Sequence, residues 1–276
     1  MSFLSDKPEV KKPVGPPRSE NRDHAQVHDL TATWAERIVA AAQVTPGERI
    51  IEVGAGTGAL TTALLAAKTT VIAVERDADR AAILRTKCPT AEVVVVDAAD
   101  ALPKQRGVWR VVANPPFNLT ALLVRRWLAA DHPGSPAMAL DLVLQAEAAQ
   151  KLTGQPGAQS RTSVLVALAG SATVSLRLPR NATNPPSRVD LAVWSFRRGP
   201  DAPQPAEMRR IDQVLAKGFS GSHTVLDALR GLATSLQLRV QGAEHGFRAT
   251  QHARTLTPAA WRSLTAVLYK CGKLGK

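Results

Sequence analysis

Cysteine is scarce: Cys88 and Cys271 are the only two in 276 residues, too few for a disulfide framework or a cysteine-based zinc site. The six histidines show no metal-ligand spacing, so no metal is expected. No run approaches the ~18 consecutive apolar residues that cross a bilayer. The start, Met1-Ser-Phe-Leu-Ser-Asp-Lys-Pro-Glu9, meets charge and proline where a secretion signal has its apolar stretch. The expectation is a cytoplasmic chain without a membrane partner. Aromatic residues make up 4% with a single Tyr, which argues against a surface that stacks many bases. Acid is in deficit, 23 Asp and Glu against 35 Lys and Arg, and the resulting net charge of +12 points to a polyanionic partner. A hydrophobic content of 45% is enough to bury a sizeable core, and the length suits one large domain with a smaller one beside it.

Residues 1–18 hold four prolines and four basic residues with no apolar periodicity, and read as a flexible basic arm. From Leu30 to Gln43, apolar residues recur every four positions as a helical face. A rhythm of short β-branched runs and helical stretches follows. Strands are expected at Arg49–Val53, Thr70–Val74, Glu92–Val96, Val108–Ala113 and Ala137–Leu144, and helices at Ala59–Ala67, Ala78–Lys87, Leu119–Ala130 and Gln145–Thr153. Strands that are apolar throughout, alternating with helices, make a parallel sheet covered on both faces. Two further strands, within Ser163–Leu178 and at Val189–Phe196, are expected to close the sheet as an antiparallel hairpin with no helix between them. After the Pro-rich linker at 199–205, helical spacing alone appears at Met208–Phe219, Thr224–Leu236 and Pro258–Leu268. The division is therefore an arm at 1–18, a catalytic domain at 19–198, and a helical domain at 199–276, the last with 11 basic and 5 acidic residues.

The chemistry gathers at strand ends. Glu52-Val-Gly54-Ala-Gly56-Thr-Gly58 ends the first strand, where glycines let the backbone turn sharply beside a ligand and a helix N-terminus follows. Its spacing departs from the dinucleotide pattern G-x-G-x-x-G, and suits a nucleoside-bearing ligand without a pyrophosphate. Glu75 ends the second strand, where a carboxylate can accept from both hydroxyls of a ribose. Asp97, ending the third, can accept from an adenine amine. Asn114-Pro115-Pro116-Phe117 ends the fourth. There an amide oxygen and a proline-fixed carbonyl can both accept from one planar amine, and the aromatic can stack on the base that carries it.

These residues resemble the S-adenosylmethionine-dependent ribosomal RNA adenine N6-methyltransferases, both the macrolide-resistance Erm type and the small-subunit dimethyladenosine (KsgA) type. The resemblance implies a Rossmann-like α/β sheet of seven strands with a small all-helical C-terminal domain. It implies S-adenosylmethionine as cofactor, held by Gln26, Glu52, Gly54, Gly56 and Gly58, by Glu75 at the ribose, by Asp97 and Ala98 at the adenine, and by Asn114. It makes Asn114, Pro115 and Phe117 the acceptor motif, and ribosomal RNA the partner of a monomeric enzyme. Lys151, Arg161, Arg180 and Arg188 fall at positions flanking the RNA cleft. Leu144-Gln145-Ala-Glu147 and Leu256-Thr-Pro-Ala-Ala-Trp261 also look like segments of the family. Two departures stand out: Gln26-Val27-His28-Asp29 replaces Gln-Asn-Phe-Leu, and Pro115 replaces Ile or Leu. The second form is shared with release-factor glutamine methyltransferases, which stay open as a rival, as does a non-catalytic RNA- or DNA-binding relative. The Arg-rich, Ala-rich composition and atypical motifs favour the Erm type, which implies large-subunit RNA and macrolide resistance over a small-subunit dimethyladenosine activity.

Overall fold

The computed structural model describes residues 28–103, 105–129, 135–153, 159–221 and 223–275. The arm at 1–18 and the site candidate Gln26 lie outside the described residues. A short strand β1 (Asp29–Leu30) precedes α1 (Ala32–Ala42), β2 (Arg49–Val53), α2 (Ala59–Ala66), β3 (Thr70–Glu75), α3 (Ala78–Lys87) and β4 (Glu92–Val95). The second half of the sheet follows as β5 (Arg110–Ala113), α4 (Thr120–Ala129), β6 (Ala139–Gln145), α5 (Ala146–Leu152), α6 (Arg161–Ala169), β7 (Gly170–Leu178), β8 (Thr183–Asn184) and β9 (Leu191–Arg198). Four helices complete the fold: α7 (Pro205–Gly218), α8 (Val225–Ala228), α9 (Ser235–His245) and α10 (Pro258–Lys270).

Seven strands form one sheet in the order β4-β3-β2-β5-β6-β9-β7, parallel from β4 to β6, with β9 antiparallel between β6 and β7. Successive side chains of each central strand serve opposite cores. Ile50, Val71, Ala73 and Val112 pack with α1, α2 and Leu84 of α3, while Ile51, Ile72, Val74 and Val111 pack with α4 and α6. Burial on both faces is why these strands read as unbroken apolar runs. Edge strand β7 instead alternates half-buried and exposed residues along most of its length. The second core continues into Met208, Ile211, Trp261 and Leu264, so the C-terminal helices build onto α4 and α6 through α7.

Two expectations need correction. Residues 163–169, read within a strand segment, belong to helix α6. The Ser160 hydroxyl accepts from the Ser163 amide while the Ser163 hydroxyl accepts from the Ser160 amide, a reciprocal cap that starts a helix. The helix read at Thr224–Leu236 is only the four residues of α8, and α9 begins separately behind its own cap at Thr234. Among the described residues, no helix is long and apolar enough to cross a membrane.

Candidate active site

β2 and β5 lie side by side, yet the chain leaves β2 toward β3 on one side and β5 toward β6 on the other. Loops departing in opposite directions open a crevice at the carboxyl ends of these two strands. The glycine-rich segment and the Asn114 motif stand on its two sides. Gly54 has φ +74°, and a Cβ there would lie 3.2 Å from the Asn114 carbonyl oxygen and 3.5 Å from Cδ of Pro116. A side chain at this position would fill the space between the two loops. Gly58 caps the N-terminus of α2.

Three acids line the rim in different states. Glu52 is 1% exposed and accepts from the Thr61 hydroxyl at 2.6 Å. Burial pushes its carboxyl up to about 8, against the lowering effect of the Thr61 bond and with a smaller contribution from Glu75 nearby. Glu75 is buried and organises the glycine loop. Its Oε2 accepts the Gly56 amide at 2.8 Å and its Oε1 accepts the Asp77 amide at 3.0 Å. A carboxylate offers about four acceptor sites, so these bonds leave capacity for hydroxyl donors. Asp97 accepts the Ala99 amide at 2.8 Å and faces Arg76 at 4.0 Å, and the Ala98 carbonyl accepts from Arg126 at 3.1 Å.

On the acceptor side, Asn114 Nδ2 donates to the His28 carbonyl at 3.0 Å. That bond commits the nitrogen and leaves Oδ1 as the acceptor. The His28 ring bonds the Pro185 carbonyl through Nδ1 at 3.0 Å, and β1 pairs with β8 beside it, Asp29 opposite Asn184. Nothing in the sequence signals that a backbone carbonyl at position 28 would hold Asn114, because the contact spans 86 residues. Pro115 is buried, and Phe117 is partly buried against the core under α1 and α2.

The four basic candidates differ. Arg188 is exposed and has no ion-pair partner among the described residues. Arg180 pairs with Asp190 at 3.1 Å, and Lys151 with Glu147 at 2.6 Å, both on the surface. The Arg180–Arg188 loop joins the acceptor side through Pro185 and His28. Arg161 is engaged elsewhere: its Nε and Nη2 grip the Asp212 carboxylate at 2.5 and 2.6 Å, tying α6 to α7.

The profile of the ribosomal RNA adenine dimethylase family matches residues 22–263. The ribosomal RNA small subunit methyltransferase A of Thermosynechococcus vestitus is 31% identical over 241 residues, covering 84% of this chain and 90% of the relative. That of Synechocystis is 30% identical over 276 residues, covering 91% and 96%. Among solved structures, the 23S rRNA methyltransferase ErmE superposes with a TM-score of 0.64 at 24% identity, covering 87% of this chain and 99% of its own. A dimethyladenosine transferase from Plasmodium falciparum gives 0.68 at 19%, covering 89% and 98%.

Proposed function

The chain belongs to the ribosomal RNA adenine dimethylase family, whose members are S-adenosylmethionine-dependent methyltransferases, and we propose that it methylates the exocyclic N6 of an adenosine in large-subunit ribosomal RNA, conferring macrolide-type resistance. The observation that carries the chemistry is the Asn114–His28 bond, which leaves the side-chain amide oxygen free as an acceptor on a motif whose backbone lies close against Gly54. The rim fits the donor: Glu75 is buried with acceptor sites to spare for ribose hydroxyls, and Gly54 lets the loop backbone lie close to the Asn114–Pro116 turn. Glu52, Asp97, Ala98 and Gln26 complete the donor set in this reading. When bound, the donor supplies an electrophilic methyl on a sulfonium.

Asn114 Oδ1 and the Pro115 carbonyl accept the two amine hydrogens, turning the nitrogen lone pair toward the donor, and Phe117 stacks on the base. No base is required, since the amine sheds its proton to solvent after transfer. The adenosine must leave its stack to enter the crevice, which suits a loop or single-stranded substrate. Lys151, Arg180 and Arg188 supply phosphate contacts, and the helical region at 199–276 extends the basic RNA-binding surface. The enzyme acts in the cytoplasm as a monomer.

A second reading, small-subunit RNA, is favoured by the names of the cyanobacterial relatives. Incubation with labelled S-adenosylmethionine and, separately, 23S RNA, 16S RNA, both ribosomal subunits and a release factor decides among the targets. Label in 23S RNA supports the first reading, and label in 16S RNA replaces it with the second. Label in the release factor alone overturns both, and no label in any arm overturns catalysis.

A further inference from the structure

Asp29 in β1 and Arg80 in the first turn of α3 are 51 residues apart, and their side chains form an ion pair directly over Gly56. A Cβ on Gly56 would lie 2.6 Å from Asp29 Oδ1 and collide with the Arg80 guanidinium, so the pair rests on the bare backbone of the glycine loop. The Gly56 amide beneath it is held by Glu75 at 2.8 Å. Ion pair, glycine loop and rim carboxylate therefore meet at Gly56.

Helix stability does not explain this arginine. The N-terminus of a helix carries partial positive charge and favours acids in its first turn, a place Asp77 and Asp79 already fill. The pair is partly buried, its side chains 22% and 32% exposed, so it is not a solvated surface contact. Both partners keep unused capacity among the described residues. Only Nη2 of Arg80 and Oδ1 of Asp29 are engaged between them, and the other guanidinium N–H groups and the second carboxylate oxygen have no side-chain partner among the described residues.

We propose that the Asp29–Arg80 pair is the subsite for the α-amino-acid end of the methyl donor. This rests on the donor reading above and adds the residues that hold the zwitterion. An α-carboxylate and α-ammonium on one carbon present opposite charges side by side. The planar Arg80 fork takes the carboxylate by paired hydrogen bonds, while Asp29 accepts from the ammonium.

S-adenosylhomocysteine and 5′-methylthioadenosine are both neutral thioethers of adenosine, and only the first carries the amino-acid group. Their dissociation constants are measured by calorimetry on the full chain, Arg80→Leu, Asp29→Asn and the double variant Asp29→Leu/Arg80→Leu, which keeps an apolar contact over the loop. The expected result is at least a tenfold loss of S-adenosylhomocysteine affinity in each variant, with methylthioadenosine within twofold of wild type and thermal midpoints preserved. Unchanged S-adenosylhomocysteine affinity, or equal loss of both ligands, overturns the subsite. If wild-type protein binds neither ligand, the donor reading itself fails.

Discussion

At the scale of single residues, the crevice separates donor binding from chemistry. Asn114 acts on the acceptor amine through an oxygen oriented by the His28 carbonyl. Asn114→Ala is therefore expected to lower single-turnover methyl transfer by roughly 100-fold or more, far beyond any loss of S-adenosylhomocysteine affinity, the scale of loss when a reacting group is no longer aligned. Transfer within tenfold of wild type would assign the alignment to another group. Glu52 has a different signature. Its carboxyl titrates near 8 in the fold against an ordinary 4.5, so the folded state favours the neutral acid. Its contribution is fully present below about pH 4.5 and is lost as pH rises toward 8, with a limiting slope of about 1.4 kcal/mol per pH unit. Glu52→Gln keeps an oxygen for Thr61 and removes the titration. Urea unfolding from pH 5 to 8 should show wild type losing stability relative to this variant, and parallel curves would mean that Glu52 stays ionised.

At the scale of elements, the sheet has two unlike ends. The carboxyl ends of β2, β3 and β5 carry the site, while Asp141 lies 0% exposed toward the amino end of the interior strand β6. Asp141 accepts from Arg110 of β5 at 2.5 Å, from the Ser195 hydroxyl of β9 at 2.7 Å and from Arg197 of β9 at 3.0 Å, and both arginines also donate to the Ala42 carbonyl at the end of α1. Removing the acid leaves the buried Arg110 with Glu48 as its one remaining charge partner among the described residues and takes from Arg197 its acceptor in the sheet. Asp141→Ala is expected to cost about 3–5 kcal/mol in denaturant unfolding, against less than about 1 kcal/mol for an exposed pair such as Lys151–Glu147. Equal costs would make the network expendable. The sequence shows Asp141 only as an acid inside an apolar run, because its partners come from strands 31 and 54 residues away. The α6 misreading is of the same origin. Ser160 and Ser163 can start a helix, yet the β-branched Val164 and Val166 suit a strand equally well, and the helix is favoured by packing on α4 and α7.

At the scale of the molecule, positive charge is divided between a loop joined to the acceptor side and an outer helical face. Arg188 stands in the first and Arg239 of α9 in the second, both exposed. If the crevice receives a single-stranded segment, Arg188→Ala should weaken RNA binding and reduce the log–log salt slope by about 0.7, one phosphate contact, with S-adenosylhomocysteine affinity unchanged. Arg239→Ala should change the slope by less. Equal effects, measured by fluorescence anisotropy across a salt series, would reduce the charge to a diffuse field. Arg161 is excluded from such a test because its loss would loosen α6 from α7 through Asp212.

Local order and the chemical parts were legible from residue types alone. Strands buried on both faces must be apolar throughout, glycines mark the bare loop after β2, and Asn114-Pro115-Pro116-Phe117 carries its donor and acceptor groups in consecutive positions. Tertiary structure decided which of these parts meet. It set the Asn114 amide by a carbonyl 86 residues away, engaged Arg161 with Asp212 and left Arg188 without an ion-pair partner among the described residues, and brought Asp29 and Arg80 together over Gly56. Periodicity records which face of an element is buried, but not which distant backbone group or opposite charge the fold will bring against it, and that choice is made by how the packed elements come together.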